Sequence, residues 1–211
     1  MFIIPGKPKI IANLFLTEYE KRVIKLKKKL IVITGANAGI GQALAHQFLF
    51  DDHPCLLLSR TIKPLPAFAN KKVKYAQVDV TDYQQFEQAV RAAEAEFGPV
   101  ECLVNNAGLI NVGTLREMPI EQCQYELDVL VKGVLNGIKI VLNDMAARKS
   151  GTIFNISSIG DRKPSPLGVV YHASKHAVRS ISESLQMAEA KNNVRIMNIA
   201  PGLVKTNIHQ N

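Results

Sequence analysis

The hydrophobic positions of the chain fall into short unbroken runs separated by longer periodic segments. Leu30-Ile31-Val32-Ile33 and Cys55-Leu56-Leu57-Leu58 are contiguous apolar runs bounded by turn residues, the pattern of strands buried on both faces. Residues 73–78, 101–104, 152–156 and 194–199 complete a set of six expected strands. Between them the apolar period changes. Ala43, Leu44, Phe48 and Leu49 recur at helical spacing, and Phe86, Ala89, Val90 and Ala93 mark a helix over 82–97 that Gly98-Pro99 stops. Leu127, Leu130, Val134, Ile138, Val141 and Met145 line one side of a long helix over 120–148, and 171–190 forms another. Strands alternating with helices require right-handed crossovers, so the expected fold is single-domain α/β: a doubly wound parallel sheet with helices on both faces.

The first strand runs directly into Thr34-Gly35-Ala36-Asn37-Ala38-Gly39-Ile40-Gly41 and then into the first helix. Glycines here allow a tight turn, close approach of a pyrophosphate to the backbone and intimate helix packing, while the helix N-terminus offers free N–H groups. Strand before and helix after is the context that separates a dinucleotide loop from an ordinary glycine-rich turn. The spacing is Gly-x-x-x-Gly-x-Gly rather than the commoner Gly-x-Gly-x-x-Gly. In that spacing the chain resembles the short-chain dehydrogenase/reductase superfamily, and further matches follow in order. Asn105-Asn106-Ala107-Gly108 closes the fourth strand, Ser158 precedes Tyr171-His172-Ala173-Ser174-Lys175, and Pro201-Gly202 with Thr206 ends the sixth. The stretch from Asp128 through Thr206 most resembles the branch that includes bacterial 3-hydroxy acid dehydrogenases.

The resemblance implies a Rossmann-type domain over 29–211, lacking the C-terminal strand and lid with which such chains usually continue, behind a basic extension over 1–28. It implies a cofactor site at Gly35, Asn37, Gly39, Ile40 and Gly41, with Asp79 and Val80 bordering the adenine and Asn106, Ala107 and Gly108 along the adenosine ribose. Tyr171, Lys175, Pro201, Gly202 and Thr206 would complete it. A homo-oligomer is the family's usual assembly. The choice between cofactors has a physical basis: NAD is favoured by a carboxylate at the end of strand two, NADP by its absence and a nearby cation. Here Ser59 stands at the carboxylate position and Arg60 follows, so NADP (NADPH) is expected.

Tyr171 and Lys175 are four residues apart on an expected helix and project from one face. A tyrosine titrates near ~10, and moving it three units takes about 4 kcal/mol of phenolate stabilisation. The Lys175 ammonium, with an oxidised nicotinamide, has the sign to supply it. Tyr171 is thus the expected general acid/base, Ser158 a hydrogen-bonding partner of the substrate oxygen, and Lys175 a holder of the nicotinamide ribose. The expected activity is NADP-dependent interconversion of a secondary alcohol and a ketone. One position departs from the family pattern: Asp128-Val129-Leu130-Val131-Lys132-Gly133 has Leu130 where related chains carry an asparagine that fixes a water chain to the lysine. Asn136 lies too far along the helix to replace it. A catalytically impaired dinucleotide-binding remnant is therefore the alternative.

Composition changes this picture little. The net charge of +8 suggests nucleic acid or an anionic surface, but eight cations against Glu18 and Glu20 fall in the first 29 residues, and the remainder is nearly balanced. A third reading, a basic interaction protein, rests on that segment alone, so no nucleic-acid partner is expected. No uncharged apolar run reaches the ~18 residues of a membrane span, and the apolar stretch 10–16 meets Thr17-Glu18-Tyr19-Glu20 instead of a small-residue cleavage site. Three cysteines, Cys55, Cys102 and Cys123, cannot form a closed disulfide set, which points to a reducing, cytoplasmic setting. His172 and His176, four apart on a helix, have no acidic or cysteine partner nearby in sequence, so no metal is expected.

Overall fold

A computed structural model describes residues 28–204; residues 1–27, which hold nearly all of the basic extension expected over 1–28, and residues 205–211, including Thr206, lie outside the described residues. The six expected strands form: β1 (Leu30–Thr34), β2 (Cys55–Ser59), β3 (Val73–Gln77), β4 (Val100–Asn105), β5 (Gly151–Ile156) and β6 (Val194–Ile199). They make one sheet in the order β3-β2-β1-β4-β5-β6, every neighbouring pair parallel. The chain order reverses between β1 and β4, and a crevice opens there beyond the carboxyl ends of the strands.

Alternation along β1 and β2 explains why neither strand shows a polar face. Leu30, Val32, Leu56 and Leu58 pack into one core, while Ile31, Ile33, Cys55 and Leu57 pack into the other. Both faces are covered, so every position is apolar, and each fully buried aliphatic side chain contributes about 1.5–3 kcal/mol. All three thiols are buried and free, and burial pushes Cys55 and Cys102 up to about 12, which makes them packing groups rather than nucleophiles.

Helices α1 (Gly39–Phe50), α2 (Tyr83–Phe97), α3 (Ile120–Leu127), α4 (Gly133–Ala147) and α5 (Val169–Glu189) connect the strands. The long helix expected over 120–148 is not continuous: a π-helical turn at Asp128–Lys132 separates α3 from α4. The widened turn brings Val129 and Leu130 inward, and Gly133 follows where a Cβ would stand 2.6 Å from Val80 Cγ2. The interruption therefore lets α4 close on the end of β3, and Asn136 Nδ2 donates to the Val80 carbonyl at 2.8 Å.

A buried polar ladder aligns α5 with the sheet. Asn105 Nδ2 donates to Asn155 Oδ1 at 2.9 Å, and Asn155 Nδ2 donates to Ser182 Oγ at 2.9 Å. These bonds cross from β4 to β5 to α5 with all three residues buried, where each lost partner would leave an unsatisfied group. They fix the rotation of the helix that carries Tyr171 and Lys175.

Candidate active site

The glycine loop turns where β1 ends, and Gly35 and Gly39 take positive φ values of 65° and 55°, a conformation that L side chains avoid. Gly41 is needed for a different reason. A Cβ there would lie 2.3 Å from the Gly35 carbonyl oxygen and 2.5 Å from Asn106 Nδ2. Asn106 holds the loop in turn, donating through Nδ2 to the Thr34 and Gly35 carbonyls at 3.0 and 3.1 Å. Asp82 caps α2 by accepting from Gln85 N, whereas Ala38 at the start of α1 offers no side-chain cap and no acidic residue follows in the first turn. The first N–H groups of α1 are thus left to an external acceptor, and the glycine cradle admits one.

Two cavities flank this loop and meet at Gly108. The first, about 190 Å³, gathers Gly35, Asn37, Ser59, Arg60, Asp79, Val80, Ala107 and Gly108. The second, about 430 Å³, gathers Ile40, Asn106, Gly108, Ser158, Tyr171, Lys175, Pro201 and Gly202. Every expected site residue among those described lies on one of them except Gly39 and Gly41, which shape the loop behind. A dinucleotide laid across Gly108 would reach both, so the residues present fit such a group.

In the first cavity Arg60 does more than follow Ser59. Its Nη1 donates to the Tyr125 hydroxyl, and its guanidinium lies 5.7 Å from the centre of that ring, so α3 holds the cation across the opening. The Asp79 carboxylate accepts from Thr81 N and Oγ1, at 2.9 and 2.8 Å, within its own turn.

In the second cavity Lys175 is 7% exposed, not a surface lysine, and its Nζ donates to the Ile156 carbonyl at 2.9 Å. Burial pulls its ammonium down to about 8, against the opposing field of Asp161. Its Nζ lies 5.5 Å from the centre of the Tyr171 ring. The Tyr171 phenol lies above its ordinary range. Burial raises it, a hydrogen bond with Ser158 works against that rise, and the charge of Glu126 adds to it. A phenol raised above its ordinary range keeps its proton at neutral pH.

Leu130 is 1% exposed, with Cδ2 lying 3.2 Å from where a Gly108 Cβ would be. An apolar side chain fills that place, and Asn136 is engaged at Val80. His172 Nδ1 sits 3.1 Å from the Gly160 carbonyl and His176 Nδ1 sits 2.8 Å from the His172 carbonyl, each turned to backbone. Among the described residues no group of His, Cys, Asp and Glu could hold a metal ion, and no helix is long and apolar enough to cross a membrane.

Three residues of the site were not read from the sequence. Tyr125 is 65 residues from Arg60, and no local pattern joins them. Asp161 is fully buried beside Lys175, accepting from Arg162 Nε at 2.6 Å and Asn198 Nδ2 at 2.8 Å. Burial raises its carboxyl, and the bonds from Arg162, Asn198 and Ser157 more than offset this and hold it below the usual range. Glu126 is the third: it is buried on α3, whereas the apolar spacing points to Leu127, which is exposed.

Residues 29–211 match the short chain dehydrogenase family. An uncharacterized oxidoreductase of Staphylococcus saprophyticus is 35% identical over 191 residues, covering 87% of this chain and 82% of the relative. Among solved structures, ElxO with NADP bound superposes with a TM-score of 0.80 at 30% identity, covering 87% of this chain and 77% of its own. 4-Hydroxyisoleucine dehydrogenase complexed with NADH gives 0.78 at 26% identity, covering 85% and 77%. With the loop, the switch-point crevice and the Tyr171–Lys175 pair already in place, the match over nearly the whole chain means that the protein belongs to the short-chain dehydrogenase/reductase family of oxidoreductases.

Proposed function

We propose that the protein is an NADP-dependent oxidoreductase that interconverts a secondary alcohol and a ketone, with Tyr171 as general acid/base. The observation that carries the reading is the second cavity, where a protonated Tyr171, the Ser158 hydroxyl and the buried Lys175 ammonium face one apolar-walled space. Bound NADPH would supply the hydride at that place. Tyr171 would give its proton to the carbonyl oxygen as the carbon is reduced, and take the hydroxyl proton in the reverse direction. Ser158 would hold the same oxygen in position, and Lys175, anchored on Ile156, would direct its remaining donors to the cofactor ribose and place a positive charge beside the forming phenolate.

The related structures bind NADP in one case and NADH in another, so the choice of cofactor is argued from Arg60 and from the absence of a carboxylate at Ser59. A guanidinium held by Tyr125 retains donors for a 2′-phosphate. Arg60→Asp is expected to weaken NADPH binding by roughly 10–100-fold and NADH binding by less than about threefold. Titration of cofactor fluorescence measures both, and equal losses would remove the assignment.

Leu130 supports a second reading, a dinucleotide-binding protein with impaired catalysis, because an apolar side chain fills the place of the family's asparagine. The two readings part at Leu130→Asn. If the protein is a working enzyme, NADPH oxidation over a ketone panel changes by no more than about threefold, apart from the cost of a buried amide. If catalysis is impaired at this position, the unaltered protein binds NADPH without turnover and the variant gains it.

A further inference from the structure

Helix α3 has two buried side chains, Cys123 and Glu126, so a carboxylate occupies a place that packing alone would give to an apolar residue. Glu126 has no exposed surface, and its oxygens accept from Asn111 N at 3.3 Å and Asn111 Nδ2 at 3.4 Å. No cation pairs with it at salt-bridge distance among the described residues. A buried carboxylate with two long hydrogen bonds is costly, and an amide or an apolar side chain would cost less. Its neighbours point to what it does. Asn111 follows Ile110, which lines the cavity containing Tyr171. The Asn111 carbonyl oxygen and Tyr171 Cβ both stand 3.8 Å from the point where a Gly168 Cβ would be, and Gly168 N donates to the Gly113 carbonyl at 3.1 Å. The segment after β4 therefore rests on the start of α5, and Glu126 grips that segment from behind.

We propose that Glu126 is a positioning residue that, through Asn111, fixes this wall of the substrate cleft against α5 and presents a negative charge to Tyr171. The proposal rests on the reading of Tyr171 as the proton donor and goes beyond it, because it assigns the direction in which the donor is biased. Glu126 lies four residues before Leu130, and both side chains are buried. Burial raises the Glu126 carboxyl and the bonds from Asn111 work against the rise, but a carboxyl still ionises well below a phenol. Once ionised, it disfavours the phenolate and holds Tyr171 in the protonated, reducing form.

Other charges and titratable groups facing Tyr171 are known element by element. Its own helix contributes the Lys175 ammonium and the His172 ring, whose centre is 5.7 Å from that of Tyr171. The turn after β5 contributes the Ser158 hydroxyl and, beside Lys175, the Asp161–Arg162 pair. The π turn contributes only buried Val129 and Leu130. Glu126 is the anion that acts on Tyr171 from α3.

The test is a phenolate titration by near-ultraviolet absorbance, taking the difference between each protein and the same protein carrying Tyr171→Phe. Glu126→Gln keeps an acceptor for Asn111 and removes the charge, and is expected to move the Tyr171 titration down by roughly 0.5–1 pH unit. Asn111→Ala keeps the charge and loses the side-chain tie, and is expected to raise the ketone KM several-fold without moving the titration. A Glu126→Gln titration coincident with wild type overturns the electrostatic assignment, and an unchanged KM in Asn111→Ala overturns the positioning one. Full turnover in Tyr171→Phe would instead sink the acid/base reading, an outcome separate from either.

Discussion

Tyr171→Phe is expected to lower kcat for ketone reduction by roughly 10³-fold, within the range for loss of a positioned general acid, while NADPH affinity stays within about threefold. The substitution removes one hydroxyl and leaves the ring that packs beside Lys175 and His172. What is lost is the proton that burial keeps on the phenol and the hydrogen bond with Ser158. A loss in kcat with the binding constant retained identifies an interaction made in the transition state. Steady-state kinetics beside fluorescence titration of NADPH separates the two quantities. Parallel loss of both would make Tyr171 a cofactor ligand or a fold determinant rather than the acid.

Lys175→Met is expected to abolish turnover and at the same time to stabilise the protein. The folded protein holds this ammonium down to about 8, against an ordinary lysine near 10.5, a difference worth roughly 3 kcal/mol. The unfolded chain keeps its proton where the folded chain has begun to lose it. The penalty is therefore complete below pH 8 and is relieved as the pH rises from 8 toward 10.5, so wild-type stability attributable to this group increases across that window. Removing the amine takes the penalty away but leaves the Ile156 carbonyl without its 2.9 Å donor, which reduces the gain to about 1–3 kcal/mol. Melting at pH 7 should rise by several degrees in the variant, with the difference narrowing above pH 8. A variant that melts lower at pH 7, by the same measurement, would mean that Lys175 is a structural lysine and that its burial is satisfied rather than strained.

Most of the fold could be read from local pattern because the forces that set it are local or periodic. Buried strands such as β1 have no polar face, the glycine loop follows from the turn it makes, and the Tyr171–Lys175 spacing is one helical turn. The π turn at Asp128–Lys132 could not be read that way. It is followed by Gly133 where the backbone passes close to Val80, 53 residues away in the chain, and the apolar period of the two helices continues almost undisturbed through it. Lys175 was visible as a residue but not as a buried one, since a lysine on a helix is usually a surface group. The desolvation of Tyr171 could not be read for the same reason: charges can be placed from sequence, but desolvation depends on what covers the side chain. Glu126, Tyr125 and Asp161 are contacts of tertiary origin, each polar residue lying where its own element alone would put it in water or leave it unremarked.

One experiment decides whether a substrate carbon receives hydride in this cleft with Tyr171 as the acid. The direct measurement is incubation with NADPH deuterated at nicotinamide C4 and a panel of ketones and 3-keto acids, followed by mass spectrometry of the alcohol products. Deuterium on the carbinol carbon of at least one product with wild type, and none above background with Tyr171→Phe, is the predicted result. NADPH bound tightly by wild type with no deuterium transferred to any ketone, or transfer undiminished in Tyr171→Phe, would contradict it.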